Sequence, residues 1–140
     1  EVAEKIKPIN GPEEKNWEFN QMEADRIQHF RECIECFLCQ NTCHVLRDHE
    51  LFDDFAGPRN LVRLAQFEMH PLDTEDRIPE IKKDFGVEYC NITRCCTEVC
   101  PAGINITDDA IIPLKERIVD RYYDPIKMVW RKITGKKLRT

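Results

Sequence analysis

The chain has 140 residues, 41% hydrophobic and 34% charged, with a net charge of -5 and eight cysteines. That length suits one domain with a modest core, and eight cysteines separated by short gaps suit metal chelation better than disulfide stapling of distant loops. Residues 1–100 carry 12 Lys and Arg against 21 Asp and Glu, which argues against nucleic acid as the main partner; no apolar run approaches the roughly 18 residues of a membrane span.

Residues 1–19, with Pro8, Gly11 and Pro12 among charges, read as a linker or interface segment. A helix is expected from Asn20, whose side chain can cap it, with Glu23 at the reciprocating position of a capping box. Ile27, Phe30 and Ile34 follow on one face. The run Cys33-Ile-Glu-Cys36-Phe-Leu-Cys39-Gln-Asn-Thr-Cys43 comes next, and Gln40 to Cys43 leads into a short helical candidate through Leu46 and Leu51. Gly57-Pro58 breaks it and starts another helix, with Leu61, Leu64 and Ala65 as its buried stripe. An amphipathic piece from about Thr74 to Phe85 stops at Gly86. The second cysteine group, Cys90, Cys95, Cys96 and Cys100, ends in Cys-Pro.

Beyond it Thr107 is expected to cap a helix with Asp108 and Asp109 in its first turn. Ile111, Leu114 and Ile118 line the inner face, and Pro113 is expected to kink it. Residues 126–140 form a basic amphipathic tail with six basic residues and no acidic one, where Trp130 joins Ile126, Val129 and Ile133 at helical spacing. No convincing alternation of β-branched residues occurs, so residues 20–125 are read as one all-α domain. Metal clusters are expected in the cysteine-bearing loops between its helices, with folding coupled to their insertion.

The first spacing, C-x2-C-x2-C-x3-C, is that of bacterial ferredoxins, where three thiolates hold one cluster and the fourth reaches another. Aligning Cys33, Cys36, Cys39 and Cys43 with the second group gives Cys90, Thr93, Cys96 and Cys100, an internal repeat with Thr93 in place of one cysteine. Cross-ligation then assigns Cys33, Cys36, Cys39 and Cys100 to a [4Fe-4S] cluster and leaves Cys43, Cys90 and Cys96 for a second. Thr93 is a poor iron ligand, so the vacant corner favours [3Fe-4S]. Cys95 is either an alternative fourth ligand or a small buried hydrophobe with an unused thiol. His44 and His49 can tune a cluster or relay a proton, or simply pack. Asp53 and Asp54, like Glu13 and Glu14, read as solvent-facing. No nucleophile–base pair or phosphate loop places substrate chemistry in the chain. A zinc-stabilised interaction module is the rival reading without redox activity.

These runs, with Arg31 to His44, Asn91 to Pro101 and Ala110 to Arg117, resemble the C-terminal α-helical ferredoxin domain of the succinate dehydrogenase and fumarate reductase iron–sulfur subunit. The resemblance covers about residues 20–130 and is nearest the actinobacterial-type branch. It implies a non-catalytic electron-transfer subunit of a succinate:quinone oxidoreductase. The implied partners are a flavoprotein subunit with FAD and the succinate/fumarate site, and membrane anchor subunits with quinone, with or without haem. The implied location is peripheral, on the cytoplasmic face of the bacterial plasma membrane. A [2Fe-2S] cluster is expected on a missing N-terminal domain or a partner chain. Where ubiquinone-using members carry proline, tryptophans and histidine, this chain has His44, Arg47, Asp48 and Asn91, and the branch points toward menaquinone. His44, Asn91 and Thr93 are the candidate quinone-side residues, with the second cluster and the basic tail toward the membrane. The alternative is a helical ferredoxin subunit of a heterodisulfide-reductase-like or glycerol-3-phosphate dehydrogenase complex. Thr93 discriminates, because those relatives usually keep a full second cysteine run.

Overall fold

The computed structural model describes residues 20–71, 73 and 75–125, Glu23 by its backbone alone. The expected linker 1–19, Thr74, the tail 126–140 with Trp130 and the capping role of Glu23 lie outside the described residues. Among the described residues the regular elements are all helical, apart from an isolated bridge at Asp73.

α1 (Gln21–Arg31) starts where the Asn20 side-chain oxygen accepts the Met22 N–H at 3.3 Å, satisfying one of the N–H groups a helix start leaves free. It buries Ile27 and Phe30 but not Ile34, which is 69% exposed. The expected face stops early because Glu32 and Cys33 bond back to His29 and Phe30, tightening the last turn into the cysteine loop. Two short helices follow, α2 (Leu38–Thr42) and α3 (His44–Arg47). Leu46 is buried in α3, whereas Leu51 lies past its end and is half-buried.

α4 (Pro58–Glu68) has proline in its first turn, where the missing N–H costs nothing. The Gln40 and Asn60 amides both donate to the Ala56 carbonyl, at 3.0 and 2.7 Å, anchoring that start. Leu61, Val62 and Ala65 are buried, with Leu64 packed at the edge. α5 (Ile78–Lys83) is shorter than the expected Thr74–Phe85 piece, because Pro79 occupies its first turn and sets the start. Gly86 has φ +54, and a Cβ there would stand 1.8 Å from the Asp54 carbonyl oxygen, so this close backbone crossing requires glycine.

A 3₁₀ turn (Val87–Tyr89) leads into the second cysteine run and α6 (Cys95–Glu98). The π-helical turn Ile106–Ile111 then passes directly into α7 (Ile112–Tyr122). Two expectations are corrected here. Thr107 is not a cap but lies inside the π-helical turn with 1% exposure. Pro113 lies in the first turn of α7, at the π-to-α junction, rather than in the middle of a regular α-helix, and a residue without an N–H is tolerated there. Ile111, Leu114 and Ile118 are buried, as their spacing predicts.

α4 is the central helix, packed against the π-helical turn, α1 and α2, while α7 packs on the π-helical turn and α5. Phe30, Phe55, Leu61, Ile81, Ile104, Ile111 and Leu114 fill the interior, and Cys39, Cys43 and Cys96 belong to the same apolar cluster. α2, which carries Cys39, and α6, which carries Cys95 and Cys96, pack on one another. The fold thereby brings together two cysteine groups far apart in sequence. No helix among the described residues is long and apolar enough to cross a membrane.

Candidate metal centre

The internal repeat is written into the backbone. Glu35 and Phe37 take φ of 56 and 60, and their counterparts Ile92 and Arg94 take 62 and 65. Phe37 and Arg94 each stand immediately before a short helix, α2 and α6. Left-handed conformation costs an L-residue about 1–2 kcal/mol, and it is least expected of a β-branched residue such as Ile92. Strain repeated at matching positions marks a functional loop held by its surroundings. In the first loop Arg63 and Arg59 hold the Glu35 carboxylate, the latter at 2.9 Å, and keep its carboxyl below the usual range. In the second, Arg94 pairs with Asp108 at 2.6 Å. Loops of this kind can turn successive backbone N–H groups into an anion-binding concavity, as at many iron–sulfur sites.

All eight cysteines are free thiols. Cys33, Cys36, Cys39 and Cys100 line one pocket of about 380 Å³ that includes space open to solvent, walled by Phe37, Arg59, Val62, Pro101 and Ile104. Burial first, then the neighbouring thiols of Cys96, Cys33 and Cys100, push the Cys39 thiol up to about 11. Burial likewise raises Cys43, against the backbone N–H groups of Leu46 and Val45, and raises Cys96, against the Thr107 hydroxyl. Cys43 and Cys96 each feel the thiols of Cys95 and Cys90, which places these four in one neighbourhood. Thiolates crowded into an apolar interior repel one another, and bound iron is the kind of charge that relieves this.

No three His, Cys, Asp or Glu side chains among the described residues converge as a single metal ion would require. A tetrahedral zinc with bonds of about 2.3 Å draws its sulfurs to about 4 Å of each other. A cubane instead gives each thiolate its own iron at a separate corner and so takes sulfurs spread around a pocket. Four cysteines line the first pocket, the number of thiolates that one cubane takes.

Cys95 and Cys96 diverge. Cys96 is buried, its sulfur 3.4 Å from the Thr107 hydroxyl, whereas Cys95 is only half-buried, its sulfur 3.4 Å from the Thr93 hydroxyl. The reading of Cys95 as a buried hydrophobe is corrected by that exposure: successive residues of a helical turn point in different directions, and only Cys96 faces the core. His44 contacts both Asn91, at its Nε2, and Thr93, 3.2 Å from its Nδ1. With the Asn91 amide donating to Nε2, the neutral ring carries its proton on Nδ1 and donates it to Thr93. The three candidate quinone-side residues thus meet at one exposed corner, and the His49 ring lies edge-on to His44 at 6.0 Å. Asp53 and Asp54 are exposed.

Three residues beside the cysteines escape sequence reasoning. Arg59 lines the first pocket and stacks over Phe37 at 5.2 Å. Lys115 donates to the Cys90 and Glu88 carbonyls. Thr107 touches Cys96. Each sits beside other polar residues in the chain, Arg59 by Asn60, Thr107 by Asp108 and Lys115 by Glu116, so nothing local singles it out.

Fold and site define an all-helical domain with two facing, strained cysteine loops. The chain belongs to the 4Fe-4S dicluster domain family, whose family model matches residues 29–104. It is similar to a chain of the Mycobacterium smegmatis Sdh1 complex in the apo form, with a TM-score of 0.76 and 54% identity, covering 86% of this chain and 51% of that one. It is 33% identical over 85 residues to a subunit of the fumarate reductase (CoM/CoB) of Methanothermobacter marburgensis, 61% of this chain and 17% of the relative. It is 27% identical over 104 residues to the mitochondrial succinate dehydrogenase [ubiquinone] iron-sulfur subunit 1 of Oryza sativa subsp. japonica, 71% of this chain and 36% of the relative. The chain therefore spans about half, or less, of the length of these proteins.

Proposed function

We propose that this chain is the helical, two-cluster part of the electron-transfer iron–sulfur subunit of a succinate dehydrogenase/fumarate reductase-type complex, itself without substrate chemistry. The observation that carries the reading is the pocket lined jointly by Cys33, Cys36, Cys39 and Cys100. A thiol from the end of the second run standing among three from the first is what cross-ligation of a duplicated ferredoxin demands. These four would hold a [4Fe-4S] cluster; Cys43, Cys90 and Cys96 would hold a [3Fe-4S] cluster. Bound there, the clusters supply one-electron carriers in series between flavin and quinone.

The residues around them define the rest of the role. Arg59, Arg63 and Glu35 stiffen the first loop, Lys115 holds the Cys90 carbonyl, and Thr93 replaces the cysteine that a second cubane would require. His44, with a proton donated toward Thr93 and Asn91 at its other nitrogen, supplies an imidazole hydrogen-bonded at both nitrogens at the proposed quinone side. The 54% identity to a chain of the Mycobacterium smegmatis Sdh1 complex supports the actinobacterial-type branch, and with it menaquinone. Partners on this reading are the flavoprotein subunit, the membrane anchor subunits and a [2Fe-2S] domain, and the location is peripheral at the cytoplasmic face of the plasma membrane. Thr93 favours this role over a helical ferredoxin of a heterodisulfide-reductase-like or glycerol-3-phosphate dehydrogenase complex.

EPR and iron analysis of the complex purified through this subunit test the proposal. Oxidised protein should show a three-iron signal and reduced protein a four-iron signal. Cys100→Ser should disturb the four-iron signal and Cys96→Ser the three-iron one. Two four-iron clusters, or zinc in place of iron, would refute it.

A further inference from the structure

Thr107 is the polar residue buried among the described residues, at 1% exposure, and it lies in a π-helical turn. π-helical turns are uncommon and cluster at functional sites, because the widened turn re-aims a side chain. Here the re-aimed group is a hydroxyl, and its neighbours fix its direction. Thr97 Oγ1 accepts the Thr107 N–H at 3.0 Å and donates its own proton to Thr107 Oγ1 at 3.1 Å. The Thr107 hydroxyl already accepts from Thr97, so its own proton is free for another acceptor, and the Cys96 sulfur stands 3.4 Å away. A hydroxyl has one proton to give, and in this interior the sulfur is what faces it.

We infer that Thr107, oriented by Thr97, donates a hydrogen bond to the Cys96 thiolate and thereby raises the reduction potential of the second cluster. The inference rests on the ligand role proposed above for Cys96. Reduction adds negative charge to a cluster and its ligand sulfurs, so a donor aimed at one sulfur stabilises the reduced state more than the oxidised one. Thr107 on this account is a positioning residue for electron transfer. The lining of the first pocket includes no hydroxyl; its polar residues are Glu35 and Arg59, which pair with one another. By itself this hydrogen bond moves the second cluster's potential upward, the direction that favours electron flow toward it.

The test is an EPR-monitored redox titration of the intact complex carrying Thr107→Val, Thr107→Ser or Thr97→Val. Valine keeps the β-branched volume and the backbone N–H but removes the donor. Thr107→Val should lower the midpoint of the second cluster and leave the first unmoved. Thr107→Ser, which keeps the hydroxyl, should hold the parent value, and Thr97→Val should lower it by less than Thr107→Val. An unmoved midpoint in Thr107→Val, or an equal drop in the serine variant, overturns the inference. If Thr107→Val does not assemble, Thr97→Val decides, an unmoved potential again counting against it. A separate outcome marks failure of the underlying reading: if Cys96→Ser leaves both cluster signals unchanged, Cys96 is not a ligand and the inference falls with that assignment.

Discussion

Arg117 on α7 reaches back to the end of α4, donating to the Glu68 carbonyl at 3.0 Å and to its carboxylate at 3.2 Å. The Arg77 N–H donates to the other carboxylate oxygen at 3.3 Å, so Glu68 ties together α4, α7 and the approach to α5. The Glu68 side chain is 8% exposed and that of Arg117 23%. Breaking such a pair by removing one partner strands a buried charge and costs about 3–5 kcal/mol; the partly exposed arginine places Arg117→Met near the lower end, about 3 kcal/mol. Burial raises the Glu68 carboxyl above its ordinary value, and the Arg77 N–H and Arg117 pull it back without cancelling the rise. For an acid whose folded value is raised, the favourable contribution is fully present below the unfolded value and is lost as pH rises through the folded one. Deleting Arg117 raises it further, so the defect should be largest near neutral pH and shrink on acidification. The assay is the rate of loss of helical circular dichroism in guanidinium chloride, on the complex, at pH 7 and at lower pH. If the pair forms after the unfolding barrier, about 3 kcal/mol appears as roughly a hundredfold faster unfolding. Glu68→Gln on top of Arg117→Met should recover about 1 kcal/mol or more, since a neutral amide needs no counter-charge. A change below about threefold in Arg117→Met, strictly additive effects in the double variant, or a defect that grows on acidification would refute the reasoning.

Gly86→Ala should remove more than about 3 kcal/mol, since about 1–2 come from the left-handed backbone alone and a Cβ 1.8 Å from the Asp54 carbonyl oxygen forces the chain apart; an unchanged denaturation midpoint would contradict this. Lys115→Met removes a charge-assisted clamp on the Cys90 and Glu88 carbonyls worth about 1–3 kcal/mol, and iron chelators should bleach the second cluster before the first. Equal bleaching of both clusters argues against the clamp. Thr93→Cys restores the fourth cysteine of the repeat and should convert the second centre toward [4Fe-4S], lowering its potential and slowing quinone reduction while activity with artificial acceptors survives. An unchanged oxidised EPR signal and quinone reductase rate would count against the three-iron assignment.

The cysteine runs, the duplication with Thr93 in one corner, the cap at Asn20 and the buried faces of α4 and α7 were legible in the chain because each depends on residues a few positions apart. Metal chelation needs short gaps, and helices announce themselves by a 3.6-residue period; both are local. Local rules also misled where a loop overrode them. Ile34 keeps the α1 spacing yet points to solvent, and Thr107 has the residue type of a cap yet lies buried in a π-helical turn. Ile92 adopts a backbone that its side chain disfavours, held there by the loop around it. Residue order alone specifies a helical protein with two cysteine runs and one incomplete corner. Packing adds that Cys100 stands with Cys33, Cys36 and Cys39, that Cys95 and Cys96 part company, and that His44 meets Asn91 and Thr93 across 47 and 49 positions of chain. Those contacts arise only when α4 and the π-helical turn bury their apolar faces together and fold one cysteine run onto the other, a consequence of whole-chain packing that no local spacing encodes.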